Sequence, residues 1–250
     1  MHDTLVLLKQ RKSVRVFEDR PVAPETKAQI LGAAFEAPTA GALMLYSILD
    51  ITDQRLKDRL AELCDHQPFI ARAPLVLVFL ADVQRWYDAY RYAGCEVRPP
   101  GPGDLLLACA DALIAAQNTV VAAEALGLGS CYIGDVLENC AVVRDLLGLP
   151  DYVLPAAMVV YGYPAAAQRA RKKPARFAPE YLVFTDRYRR LTPEEHQEMQ
   201  RRRSAEEGRA VEDPWELVRA VCQRKYMADF ALELNRSVRE YLAAFSAQKL

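Results

Sequence analysis

Histidine is scarce in this chain: among 250 residues only His2, His66 and His196 occur, and no two share a helical spacing. That scarcity argues against a zinc or histidine-based metal centre. It also leaves a Ser-His-Asp or Cys-His arrangement little to draw on. The six cysteines, Cys64, Cys95, Cys109, Cys131, Cys140 and Cys222, form no C-x-x-C pair, and several sit among Ala, Val and Leu. They read as reduced thiols of a cytoplasmic protein, packed as small hydrophobes. An excess of either charge is missing too: 32 Lys and Arg against 33 Asp and Glu leave a net charge of −1. That argues against general nucleic-acid binding, so any anion site must be local. Long apolar runs are interrupted. Residues 105–125 are the best membrane candidate, but Asp111 and Glu124 break them, and the charge-free part, 112–123, is too short to span a bilayer. No signal peptide precedes the first helix-like segment. A soluble, cytoplasmic protein is expected.

Nucleotide signatures are also lacking. Gly127, Gly129 and Gly134 are spaced G-x-G-x-x-x-x-G and follow a helical pattern instead of opening one, so the dinucleotide fingerprint fails. There is neither a G-x-x-x-x-G-K-[ST] loop nor a G-x-S-x-G elbow. If the chain is an enzyme, a cofactor carries its chemistry and no catalytic side chain needs naming.

What is present begins at Arg11-Lys12-Ser13-Val14-Arg15, followed by Val16-Phe17. Guanidinium groups grip phosphate in bidentate fashion and a serine hydroxyl adds a donor. Arg11, Ser13 and Arg15 share a period of two, so an extended backbone aims all three at one ligand. A solvated basic run is the competing reading of this pattern. Helices are expected over 4–10 with Leu5 and Leu8 inward, and from Pro24 with Ile30, Leu31, Ala34 and Phe35 on one face. A breaker-rich loop of small residues follows at 37–41. Residues 45–51 look β-like and 53–65 helical. The apolar runs 74–81 and 156–162 have strand length, and 130–134 reads as a strand or strand-like turn. Residues 103–126 form the longest helix, apolar around nearly its whole circumference, which points to a core or a subunit interface. A cationic loop at 168–176 holds Arg169, Arg171, Lys172, Lys173 and Arg176. After it, from Pro193, the composition turns to mixed charge at helical spacing. The domain reading is a core over 1–190 and a helical C-terminal extension over 191–250 that packs on the core or on a partner subunit.

Four segments, R-K-S-V-R-V-F at 11–17, A-P-T-A-G-A-L-M-L-Y-S-I at 37–48, L-G-L-G-S-C-Y-I-G-D at 126–135 and R-K-K-P-A-R-F at 171–177, together resemble the FMN-dependent nitroreductase family, in its larger branch of NADPH nitroreductases and flavin reductases. The resemblance implies an α+β fold, a mainly antiparallel sheet wrapped by helices, in an intertwined homodimer with FMN at the interface. It implies that Arg11, Ser13 and Arg15 contact FMN and that Lys12 turns its backbone more than its side chain to the flavin. Pro38 and Thr39 would pass over the partner's flavin. Gln67 would bind the pyrimidine edge, to which an amide offers both donor and acceptor. Tyr132, Ile133 and Gly134 would line the other face, with Ile133 packing on the ring. Lys173 and Arg176 would complete the phosphate grip, with Lys172 as the alternative lysine. Ala42 stands where many relatives carry Asn, and Asp135 where some have Gly. Asp135 sits either beside the nicotinamide path or as a cap of the next turn. The implied function is ping-pong hydride transfer from NAD(P)H, a transient co-substrate, through FMN N5 to a small aromatic acceptor such as a nitroaromatic, quinone or flavin. The alternatives are a flavin storage or sensor protein without turnover, or a specialised branch such as a dehalogenase or peptide dehydrogenase.

Overall fold

The computed structural model describes residues 3–246, so His2 and positions 247–250 of the expected extension lie outside the described residues. These residues fall into two compact bodies, 3–171 with 233–246, and 172–232. The boundary expected after residue 190 lies inside the second body. The first contains α1 (Asp3–Gln10), α2 (Pro24–Phe35), β1 (Tyr46–Asp50), α3 (Gln54–Leu63), α4 (Pro68–Ala71), β2 (Leu75–Asp82), α5 (Gln84–Tyr92), α6 (Pro102–Ala125), β3 (Gly129–Ile133), α7 (Cys140–Leu147), β4 (Val153–Gly162) and α8 (Ala166–Ala170). The second contains α9 (Pro193–Glu206) and α10 (Pro214–Val221), and α11 (Asp229–Ser246) contributes its residues from 233 onward to the first body.

The four strands pair antiparallel throughout, in the order β1-β2-β4-β3. Strand β2 is buried along its whole length because both faces of the sheet are covered. Leu75, Leu77 and Phe79 pack with Ile30, Ala34, Ala112, Ala116 and Val120 on one side. Val76, Val78 and Leu80 pack with Leu60, Ile70, Cys131 and Ile133 on the other. An unbroken apolar run is what a two-sided central strand requires, whereas alternation would mark a sheet with one wet face.

Helix α6 lies against this sheet through a stripe of small residues. Ala108, Ala112, Ala115, Ala116, Val120 and Ala123 are buried, at spacings of three and four. It is the one helix among the described residues long and apolar enough to cross a membrane. Its buried face belongs to the protein core, and its opposite face leaves Leu106, Leu107, Leu113 and Ile114 exposed. In the single chain one side of α6 meets the core, and the other is open. Leu5, Leu8 and Phe35, expected inward, keep much of their surface exposed as well.

The cationic segment is extended and runs along the β3–β4 edge. Val14 N–H donates to Ser130 O at 2.9 Å, Ala165 N–H to Val16 O at 3.1 Å and Glu18 N–H to Tyr163 O at 2.8 Å. Two glycines permit this close approach. A Cβ on Gly129 would lie 2.4 Å from Val14 Cγ2 and 2.8 Å from Val14 Cβ, and one on Gly162 would lie 2.8 Å from the Phe17 ring. Gly129→Ala is accordingly expected to lower the melting temperature by several degrees, since overpacking costs ~1–3 kcal/mol. A melt indistinguishable from wild type would show that segment 11–17 yields without cost.

Candidate active site

The extended backbone sets the alternation of the cationic run. Val14 points into the protein and is buried, while Arg11 and Ser13 are half-buried and Arg15 is exposed. Arg11, Ser13 and Arg15 all lie beside strand β3. Burial pushes the Cys131 thiol up, and Arg15, Ser13 and Arg11 oppose that shift. Burial also pushes the Tyr132 phenol up to about 12, again opposed by Arg11. The Arg15 guanidinium stands 5.8 Å from the Phe69 ring centre, a contact on α4 that sequence patterning did not signal. Arg11, Arg15 and the Ser13 hydroxyl thus form a cationic donor set next to Tyr132.

The other cations nearby have structural partners. Lys12 Nζ donates to the carbonyls of Arg169 at 2.7 Å and Arg171 at 2.5 Å. Arg171 donates to Ser13 O at 2.7 Å, and Arg169 pairs with Glu18 and donates to Pro164 O at 2.8 Å. These residues strap the chain near 170 onto segment 12–18. With its side chain so engaged, Lys12 has only its backbone to offer a ligand. Lys173 and Arg176 lie in the second body. Lys172 and Lys173 line a cleft of 770 Å³ with Ala175 and Arg209. Arg176 is exposed, its guanidinium 3.3 Å from Pro174 O. Within that body Arg202 pairs with Glu180, and Arg203 lies 4.5 Å over the Phe177 ring.

Gln67 is set by an unusual turn. Asp65 and His66 both take left-handed φ values, +59° and +51°, a conformation Asp and His tolerate better than most residues. The Gln67 amide nitrogen donates to Cys64 O at 2.8 Å and to Asp135 Oδ2 at 2.5 Å. Asp135 therefore acts on Gln67, a role that sequence reading did not assign. Gly134 is exposed, and a Cβ there would meet nothing within 4 Å. A flat ligand could lie over its backbone. Tyr132 is half-buried, but Ile133 is buried in the core with Val76, Val78 and Met158. Packing of the Ile133 side chain on a ring is thus corrected: the pleat turns it inward and leaves only its backbone to the site.

The loop bearing Pro38 and Thr39 is anchored by a residue in mid-helix. Asp111 is 2% exposed, and its carboxylate accepts from Ala40 N–H at 2.9 Å and Leu45 N–H at 3.0 Å. Its one sequence signal was a charge inside an apolar helix. Thr39 Oγ1 accepts from Met44 N–H at 3.3 Å, Trp86 Nε1–H donates to Leu43 O at 2.7 Å, and Pro38 is exposed. Ala42 adopts φ +58°, in a region that asparagine enters more readily than alanine. Beside the loop lies a cavity of 490 Å³ lined by Leu43, Trp86, Tyr87, Tyr90 and Val97. Among the described residues no group of three or more His, Cys, Asp or Glu side chains is placed to hold a metal.

This is an α+β protein with a two-sided antiparallel sheet and a cationic strand fixed along its edge. The profile of the nitroreductase family matches residues 8–163, and the chain belongs to that family of oxidoreductases. It is 29% identical over 242 residues to a Cr(VI) reductase of Pseudomonas sp., covering 95% of this chain and 96% of the relative. It is 33% identical over 184 residues to an NADPH-dependent oxidoreductase of Staphylococcus epidermidis, covering 73% and 72%. Among solved structures, NfrA2 of B. megaterium superposes with a TM-score of 0.82 at 25% identity and 100% coverage of both chains. The NADPH:FMN oxidoreductase of Vibrio harveyi complexed with NAD+ gives 0.82 at 25% identity, covering 98% and 99%.

Proposed function

We propose that this chain is an FMN-dependent NAD(P)H oxidoreductase that reduces small aromatic acceptors by ping-pong. The observation that carries the reading is the fixed cationic strand: Arg11, Ser13 and Arg15 presented beside Tyr132 and the open backbone of Gly134. The donor set suits the proposed cofactor. Two guanidiniums and a hydroxyl match a phosphate and a ribityl chain, the uncovered glycine leaves room for a flat ring, and the Gln67 amide suits an imide edge. Bound FMN would supply the redox chemistry, taking hydride from the nicotinamide and passing reducing equivalents to the acceptor. The protein's own part is to hold and orient. Arg11 and Arg15 neutralise the phosphate, Gln67 sets the ring's register, and the backbone of residues 132–134 lines one face. Lys173 and Arg176 enter this reading on their sequence motif alone. The aromatic cavity beside the 37–45 loop supports an acceptor of small aromatic type. The exposed stripe of Leu106, Leu107, Leu113 and Ile114 supports a homodimer, because a monomer seldom leaves such a row wet. A cytoplasmic setting goes with the six free cysteines.

Anaerobic mixing of the yellow protein with NADPH, and separately with NADH, is expected to bleach the flavin absorbance within seconds. A yellow protein that stays yellow with both would instead mark a flavin store or sensor.

A further inference from the structure

The aromatic cavity beside the 37–45 loop has a charge pattern that the acceptor reading leaves unused. Arg98 and Asp104 both line it, and the Arg98 guanidinium donates to both Asp104 oxygens, at 2.6 and 2.9 Å. Those two charges cancel. Glu96 lines the same cavity and is the unpaired charge of its wall among the described residues. It is exposed, so its carboxylate stands at the mouth. Deeper lining comes from apolar and aromatic side chains, Leu43, Trp86 and Val97 among them.

Trp86 and Tyr90 lie one turn apart on α5, with ring centres 5.6 Å from each other and planes inclined by 36°. Trp86 is fixed by its indole N–H, which donates to Leu43 O at 2.7 Å. The arginines of α5 are engaged away from these two rings. Arg85 donates to Met44 O, and Arg91 stands 5.7 Å from the Tyr87 ring centre. An aromatic face attracts a cation through its quadrupole, tryptophan most strongly. A ring already fixed needs little ordering when a ligand arrives. A wall of this kind with an acidic mouth favours a cation over a neutral molecule and opposes an anion.

We propose that this cavity is a site for aromatic cations: a flat ring packs on its apolar wall, and the ring's positive group is met by the Trp86 and Tyr90 faces and the Glu96 carboxylate. The fitting ligand class is an arene that bears a quaternary ammonium group. The proposal rests on the acceptor reading above and names the charge of the acceptor it selects. Glu96, Trp86 and Tyr90 are specificity residues, and none of them takes part in electron transfer.

The test is calorimetric titration of the oxidised holoenzyme with para-nitrobenzyl trimethylammonium, para-nitrobenzyl alcohol and para-nitrobenzoate. Wild type is expected to bind the cation about 10-fold more tightly than the anion, with the alcohol between them. Glu96→Gln should weaken the cation roughly 3-fold and leave the alcohol within about 2-fold. Tyr90→Leu should weaken the cation roughly 5-fold and the alcohol less, since leucine keeps an apolar wall without a π face. Both positions are exposed, so both variants should fold. With NADPH as reductant, KM for the cation should rise in step with these affinities while kcat stays within about 2-fold. Equal wild-type binding of cation and anion would overturn this proposal alone, provided the alcohol is still reduced. An unchanged cation-to-alcohol ratio in both variants would do the same. A cation preference without any nitroarene turnover would uphold the site and overturn the acceptor reading.

Discussion

Replacing Arg11 and Arg15 together by alanine is expected to give a folded, colourless protein. The two guanidiniums stand on the same side of an extended segment that the sheet edge holds in place through backbone hydrogen bonds. Their side chains are not what docks that segment. Val14, Gly129 and the Lys12–Arg171 strap do so, so the fold should survive the double replacement. Charge-assisted hydrogen bonds contribute roughly 1.5–3 kcal/mol each, so losing both should weaken FMN binding about 10²–10⁴-fold. The measurements are the ratio of flavin to protein absorbance after purification and a titration of the apoprotein with FMN. Full occupancy in the double variant, with a normal melt, would refute the assignment of this run to the phosphate.

Asp111→Leu carries the second large effect. The carboxylate sits in an apolar helix at 2% exposure and receives the N–H groups of Ala40 and Leu45. Leucine fits the volume but leaves both donors buried and unpaired, at about 1–3 kcal/mol each. A loss of roughly 2–6 kcal/mol is large against a typical total of about 5–15 kcal/mol, and the melt should fall on the order of 10 °C. The damage should centre on the 37–45 loop, so limited proteolysis there should accelerate. A variant that melts within two degrees of wild type would mean that the loop is held without Asp111, by Trp86 donating to Leu43 O and Arg85 donating to Met44 O.

The legible part of this protein was the part decided locally. The run 74–81 is apolar at every position and became the central strand, and the Ala-rich periodicity of 103–126 became the long core helix. Segment 11–17 alternates and is extended. Inward and outward faces were harder to read. Leu5, Leu8 and Phe35 have the hydropathy of core residues, yet in the single chain they are exposed, since helical period specifies a face and not what covers it. The family resemblance turns the Ile133 side chain toward the ring, whereas the pleat of β3 turns it into the core.

Most of the elements, the cationic strip and the family are legible in the sequence, because each rests on side-chain type and short spacing; the short helices α4, α5 and α8 are not. Only the tertiary structure decided which cations remain available to a ligand. Lys12, Arg169 and Arg171 look equivalent to Arg11 and Arg15 in the sequence, yet they are tied to backbone carbonyls or a carboxylate across more than 150 positions. It likewise decided that the Gln67 amide nitrogen is held by Cys64 O and Asp135 Oδ2. A hydrogen bond or a desolvated charge depends on neighbours the fold brings from elsewhere in the chain, and spacing along the sequence carries no record of them.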